Sequence, residues 1–159
     1  MTYEKKLNNF ILVLVDESKE LHQALYFACK RAMATNSKIA LLFVIPPTLF
    51  NQWAGVTELM QKEAREFAEE KLRVHAEFVQ KITGMAAVIY IKQGVVTEKI
   101  IELIDEDKKI NILFLGANTK PNNANPVISY LCGKGISKFR VPLVIVPGNL
   151  TDEQIDEIY

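Results

Sequence analysis

The stretch Ile112-Leu113-Phe114-Leu115-Gly116-Ala117-Asn118-Thr119-Lys120 decides the fold. Its four large apolar residues, continuing a run that begins at Ile110, show no polar alternation. That is how a strand covered on both faces reads. The run ends at Gly116, a polar loop follows from Ala117 to Asn125, and a second such run spans Leu143 to Val146. A glycine that stops a parallel strand lets the backbone turn sharply and come close to a ligand.

Outward from this stretch the pattern recurs in Phe10 to Val15, Ile39 to Ile45 and Ala86 to Ile91. Helical spacing lies between the runs. Leu21, Ala24, Leu25, Ala28 and Ala32 mark one helix, and Met60, Ala64, Phe67, Leu72, Val79 and Ile82 a longer one. Ile100, Ile101, Leu103 and Ile104 mark a third, and Val127, Ile128, Leu131 and Ile136 a weaker fourth. Gly133 and Gly135 fall inside that last pattern, where each would cost about 1 kcal/mol relative to alanine. The rhythm β-α-β-α-β-α-β-α-β with right-handed crossovers predicts an α/β fold, a doubly wound five-stranded parallel sheet with helices on both faces.

A chain of 159 residues suits one core. The expected organisation is one α/β domain over residues 1–147, then a short acidic tail over 148–159. In the tail, Thr151-Asp152-Glu153-Gln154 reads as a capping box for a helix with Ile155, Ile158 and Tyr159 on one side; a frayed terminus is the other reading. The connection Pro46 to Thr57 carries Leu49, Phe50 and Trp53. It reads either as a lid or contact surface, or as side chains folded back on the neighbouring helix.

Lys plus Arg and Asp plus Glu both number 19, so no net field favours nucleic acid or an anionic membrane. No apolar run approaches the ~20 residues of a membrane span. The N-terminal residues carry no apolar signal region. Cys29 and Cys132 form no C-x-x-C and read as reduced thiols. A cytoplasmic location is expected.

Ligands of open α/β sheets bind beyond the carboxyl ends of the strands. There the sequence places Asp16, Val44 to Pro47, Gln93-Gly94 and Gly116 to Asn125. Asp16 reads as an acceptor for a ribose or a base amine, or as part of the N-cap of the first helix, a role Ser18 could also fill. The first strand is not followed by G-x-G-x-x-G, Gly133-Lys134 fails the P-loop pattern, and no G-x-S-x-G elbow is present. His22 and Cys29 are a weak metal pair, and His75 falls on the apolar stripe of its helix. No metal site and no catalytic constellation of nucleophile, base and orienting group is expected.

Several segments together resemble the universal stress protein family over about Asn9 to Pro147. Ile11-Leu12-Val13-Leu14-Val15-Asp16-Glu17-Ser18 is similar to the family's opening strand and V-D-x-S. Ala40 to Val44 resembles its second strand, and Gly94 to Ile101 the glycine-led start of its third helix. Leu113 to Gly116 and Val141 to Pro147 resemble its last two strands. The resemblance implies the adenine-nucleotide alpha-hydrolase-like fold with strand order 3-2-1-4-5, Asp16 and Gly116 flanking the switch point.

Nucleotide-binding members of that family carry G-x-x-G, nine residues, then G-[S/T]. A gap-free alignment places Gly116, Thr119 and Ser129-Tyr130 at those positions, so one glycine survives. The ligand-binding positions implied are Asp16, Val44, Gly116, Thr119, Lys120 and Ser129. The leading expectation is a non-enzymatic stress-response module with weak or absent ATP binding and no required cofactor. The alternative is a switch that binds ATP, AMP or another adenine nucleotide with at most slow hydrolysis. A nucleotide-activating enzyme would need an S-G-G-x-D-S loop or an H-I-G-H-type element, and neither occurs. Expected partners are a second copy, paired through the apolar edge strand Val141 to Val146, and a regulatory protein; neither nucleic acid nor membrane is expected.

Overall fold

A computed structural model describes residues 9–47, 58–120 and 125–159. The apolar connection with Leu49, Phe50 and Trp53 lies outside the described residues. The elements are β1 (Phe10–Leu14), α1 (Leu21–Thr35), β2 (Lys38–Ile45), α2 (Glu58–Thr83) and β3 (Val88–Gln93). They continue with α3 (Val96–Glu106), β4 (Ile110–Ala117), α4 (Pro126–Cys132), a 3-10 turn (Ile136–Lys138), β5 (Leu143–Pro147) and α5 (Asp152–Ile158). The five strands form one sheet in the order β3-β2-β1-β4-β5, and every pairing is parallel.

The near-continuous apolar runs are explained by helices on both faces. Along a strand successive side chains alternate between faces. Ile11, Val13 and Val15 meet α1 and α2 in one core with Leu41, Phe43 and Phe114. Phe10, Leu12 and Leu14 enter a second core with Leu42, Leu113, Ile100 and Leu103, beneath α3 and α4. The helix α1 lies close on the sheet because its buried stripe at three- and four-residue spacing is rich in small side chains, Ala24, Ala28, Cys29 and Ala32. It ends where Asn36 adopts the left-handed conformation and returns its N–H to Ala32. Burial pushes the Cys29 thiol up to about 12, so it is a packing group rather than a nucleophile at neutral pH. Cys132 is free and exposed.

Three boundaries differ from the sequence reading. β3 begins at Val88 rather than Ala86 because its ladder with β2 starts at Ala40 opposite Val88. β4 runs through Gly116, which pairs with Val146, so that glycine does not stop the strand. Gly133 and Gly135 lie outside α4, which ends at Cys132, so neither interrupts a helix.

The capping box of the tail is formed in both directions between Thr151 and Gln154. The tail helix α5 docks on α1, with Ile155 buried. Asp152 meets His22 at 3.1 Å, Asp156 accepts from Tyr26 at 2.6 Å and pairs with Lys30 at 3.2 Å, and the Tyr159 ring lies edge-on to Phe27. Ile158 stays 58% exposed and does not join Ile155 in the core. The Tyr26 hydroxyl, then Lys30, holds the Asp156 carboxyl below its ordinary range. A lowered acid contributes stability above its unfolded pKa and loses it as pH falls through the folded value. Hydrogen exchange of the α5 amides is therefore expected to stay slow at neutral pH and to accelerate below about pH 4, where Asp carboxylates protonate, before the sheet opens. Exchange in α5 that tracks the sheet at every pH would contradict this.

Candidate functional site

Consecutive connections run from β1 outward through β2 to β3, while β4 and β5 lie on the other side of β1. That reversal leaves a crevice at the carboxyl ends, and the structure has a cavity of about 430 Å³ there. Leu14, Val15, Asp16 and Glu17 form its floor and one side. Phe43, Val44 and Pro46 come from the end of β2, and Phe67, Val96 and Val127 from α2, α3 and α4. A second cavity of about 250 Å³ shares Val15, Asp16, Glu17 and Phe43 and adds Ser18, Lys71 and His75. The site is thus an apolar slot with a polar annex.

Of the expected site residues, Asp16 and Val44 line the slot together. Val44 is buried and belongs to the α3–α4 side of the core. Asp16 does not cap α1, whose N-cap is Glu20 and has no side-chain cap. Instead Asp16 Oδ1 accepts from the Ser18 N–H at 3.0 Å and the Ser18 hydroxyl at 2.6 Å, a local turn that fixes the carboxylate beside the slot. Ser18 is therefore spent on Asp16, not on the helix.

Gly116, Thr119, Lys120 and Ser129 do not line the slot. A Cβ on Gly116 would sit 2.5 Å from the Glu20 carbonyl oxygen, so the missing side chain makes room for the start of α1. Gly148 accommodates the same residue: a Cβ there would meet Ala117 O at 2.9 Å and Glu20 Cβ at 3.0 Å. Thr119 and Lys120 are exposed, with the Lys120 N–H bonded to the Asn118 side chain at 2.8 Å. Ser129 is exposed on α4, and the ring of Tyr130 packs into the space left by Gly135. At the start of α4 the Asn125 side chain accepts from both the Val127 and Ile128 N–H groups, at 3.0 and 3.1 Å. Those amides are already satisfied within the chain.

The polar annex carries one ion pair, Lys71 with Glu17 at 3.1 Å, both ends largely exposed. His75 stands half-buried on α2. Burial lowers its proton affinity and the Asp16 charge opposes that, so the imidazole is neutral at pH 7. Among the described residues no group of three or more His, Cys, Asp or Glu could hold a metal ion, and no helix is long and apolar enough to cross a membrane. Sequence reasoning missed Phe67, Val96 and Val127, which come from three different helices and meet only through tertiary packing. Gly94 gave a partial signal for Val96. It takes φ +136, a conformation that suits glycine, and leads β3 into α3.

Replacing Gly116 by alanine is expected to destabilise the fold by about 1–3 kcal/mol, because backbone rather than a flexible side chain must move. Denaturant unfolding checks this, and an unchanged midpoint would mean that α1 does not press on β4.

The sequence model of the universal stress protein family matches residues 9–147. No curated protein matches the sequence significantly. Among solved structures, the universal stress protein UspA from Lactobacillus plantarum is 17% identical, with a TM-score of 0.70 over 88% of this chain and 98% of that one. A universal stress protein from Archaeoglobus fulgidus is 18% identical, with a TM-score of 0.67 over 91% and 97%. A universal stress protein from Archaeoglobus fulgidus in complex with dAMP is 17% identical, with a TM-score of 0.60 over 87% and 97%. At these identities the likeness is one of fold.

Proposed function

The chain belongs to the universal stress protein family, and on that premise we propose that it is a cytoplasmic, non-enzymatic stress-response module whose crevice takes an adenine-type ligand weakly. The observation that carries this reading is the division within the site. The slot beside Asp16 and Val44 is mostly apolar and large enough for a base, and the Asp16 carboxylate, fixed by Ser18, is placed to accept from a base amine or ribose hydroxyl. The β4 side offers little to a phosphate on this reading: Glu20 lies over Gly116, and Asn125 takes the first amides of α4. A structural relative was solved with dAMP, which supports an adenine nucleotide as the ligand to test. Ser18, His75 and Asp16 all line the annex, but the Ser18 hydroxyl donates to Asp16 and not to His75, which favours binding over catalysis.

Calorimetry is expected to give ATP an affinity no better than about millimolar, near −4 kcal/mol, and Asp16→Ala is expected to weaken it further. Low-micromolar ATP binding would overturn the reading, and an unchanged affinity in the variant would remove Asp16 from the site.

The module acts as a homodimer through β5, and a regulatory protein reads its state. β5 is a sheet edge bracketed by Pro142 and Pro147, and α5 takes α1 as its main packing partner, so the edge keeps its pairing groups. Val146 is 1% exposed and Ile145 39% exposed, so a charge at Val146 would strike the core whereas one at Ile145 meets solvent or a partner. Sedimentation is expected to show a dimer at micromolar concentration that Ile145→Lys dissociates while the circular dichroism stays native. A wild-type monomer, or a dimer indifferent to that change, would refute the pairing.

A further inference from the structure

Among the described residues, the only charged side chains that line the slot are two acids, Asp16 and Glu17; the rest of its lining is apolar. The two acids are not equivalent. Glu17 is largely exposed and faces the Lys71 ammonium at 3.1 Å. Asp16 takes part in none of the ion pairs formed among the described residues. Its two internal hydrogen bonds, from the N–H and the hydroxyl of Ser18, both fall on Oδ1, which leaves Oδ2 for a ligand. His75, which shares the annex with Asp16, is neutral at pH 7 and cancels no charge. An oriented carboxylate without a counter-ion, beside an apolar cavity, suits a cation that brings its own apolar surface.

The aromatic wall points the same way. Phe43 and Phe67 both line the slot, their ring centres 6.3 Å apart and close to edge-on-face. The Lys71 ammonium stands 5.3 Å over the Phe67 ring while it faces Glu17. An ammonium of the chain itself therefore sits between an aromatic face and a carboxylate at this corner.

We propose that the slot takes an organic cation, a protonated amine on an apolar or aromatic body, with Asp16 as the residue that receives the ammonium. This needs only the slot and its carboxylate, and it is independent of the adenine reading. The body displaces water from the walls of a cavity of about 430 Å³. The ammonium donates to Oδ2 in a charge-assisted hydrogen bond, roughly twice as strong as a neutral one. A neutral analogue lacks that charge, and an anionic one is repelled by Asp16 and Glu17.

The test is an NMR titration of the full chain with benzylammonium, benzyl alcohol and benzoate, which share a ring and differ in charge. It is run at low and high ionic strength, in the wild type and in Asp16→Asn, which keeps an acceptor for Ser18 and removes the charge. At low salt benzylammonium is expected to shift the resonances of Asp16 and Val44 and to bind about tenfold or more tighter than either analogue. The gap narrows at high salt, where charges are screened. Asp16→Asn should bring benzylammonium to within about threefold of benzyl alcohol and leave the alcohol within about twofold of its wild-type affinity. If benzyl alcohol or benzoate binds the wild type as well as benzylammonium does, or if none of the three shifts those resonances, the inference falls. If benzylammonium wins but Asp16→Asn leaves the ratio unchanged, Asp16 does not receive the ammonium and the proposal fails. Adenosine titrated alongside separates the two readings. Adenosine binding without a preference for the ammonium sinks this inference alone, and the reverse sinks the base-site reading alone.

Discussion

The central pairing of β1 is the constraint on which the rest of this molecule depends. Phe10 to Leu14 is buried along its whole length, hydrogen-bonded to β2 on one side and β4 on the other, and covered by helices above and below. A strand in that position has no solvent side, so each of its backbone groups must be satisfied by a neighbouring strand. It follows that β2 and β4 cannot be neighbours, and the carboxyl end of β1 sits where the connections part. The crevice is a consequence of that parting, not a separate construction. Every residue just past Leu14 is exposed to it, which is why Asp16 and Glu17 line both cavities.

The same geometry draws the start of α1 across the ends of β4 and β5. Gly116 and Gly148 both face one residue, Glu20, and a side chain at Gly116 would meet its backbone at the start of the helix. In an open α/β fold a glycine at a strand end invites a ligand explanation. Here the close approach is made by the protein's own backbone, at a distance no Cβ tolerates. Asn125 is a parallel case. It caps α4 well, and in doing so it consumes donors that an anion could otherwise use. Fold stability and anion recognition draw on the same few groups, and at the start of α4 the Asn125 cap has taken two of them.

The five parallel strands were legible in the sequence because a doubly covered strand must be apolar without interruption, and four of the five runs say so plainly; their order came only from the family resemblance. β3 was the least accurate, as an edge strand with a half-buried pattern carries less signal than a central one. The capping box was legible because it is local: four residues close it. The direction in which α5 folds was not, since it depends on Tyr26, Lys30 and His22 of a distant helix offering partners to Asp152 and Asp156. The slot was half legible. Asp16 and Val44 announce themselves at strand ends, but Phe67 and Val127 belong to helical stripes that read as ordinary core. Gly116 shows the limit most clearly. A glycine records that something comes close, never what it is.

Magnitudes decide how much function the slot can carry alone. A flat aromatic ring that removes on the order of 100 Å² of apolar surface from water gains about 2.5 kcal/mol. One or two hydrogen bonds to a fixed carboxylate such as Asp16 add about 1.5–3 kcal/mol each before desolvation is counted. Association and the ordering of a mobile ligand consume several kcal/mol of that gross gain. The remainder corresponds to affinities around millimolar. Tighter binding in such a crevice has to come from charge-assisted contacts to phosphate, which are roughly twice as strong as neutral hydrogen bonds. At the β4 end this chain offers the Glu20 backbone over Gly116 and an asparagine-capped helix start. Under the proposed function, the affinity of the crevice would be governed less by the apolar slot than by what stands beyond Gly116.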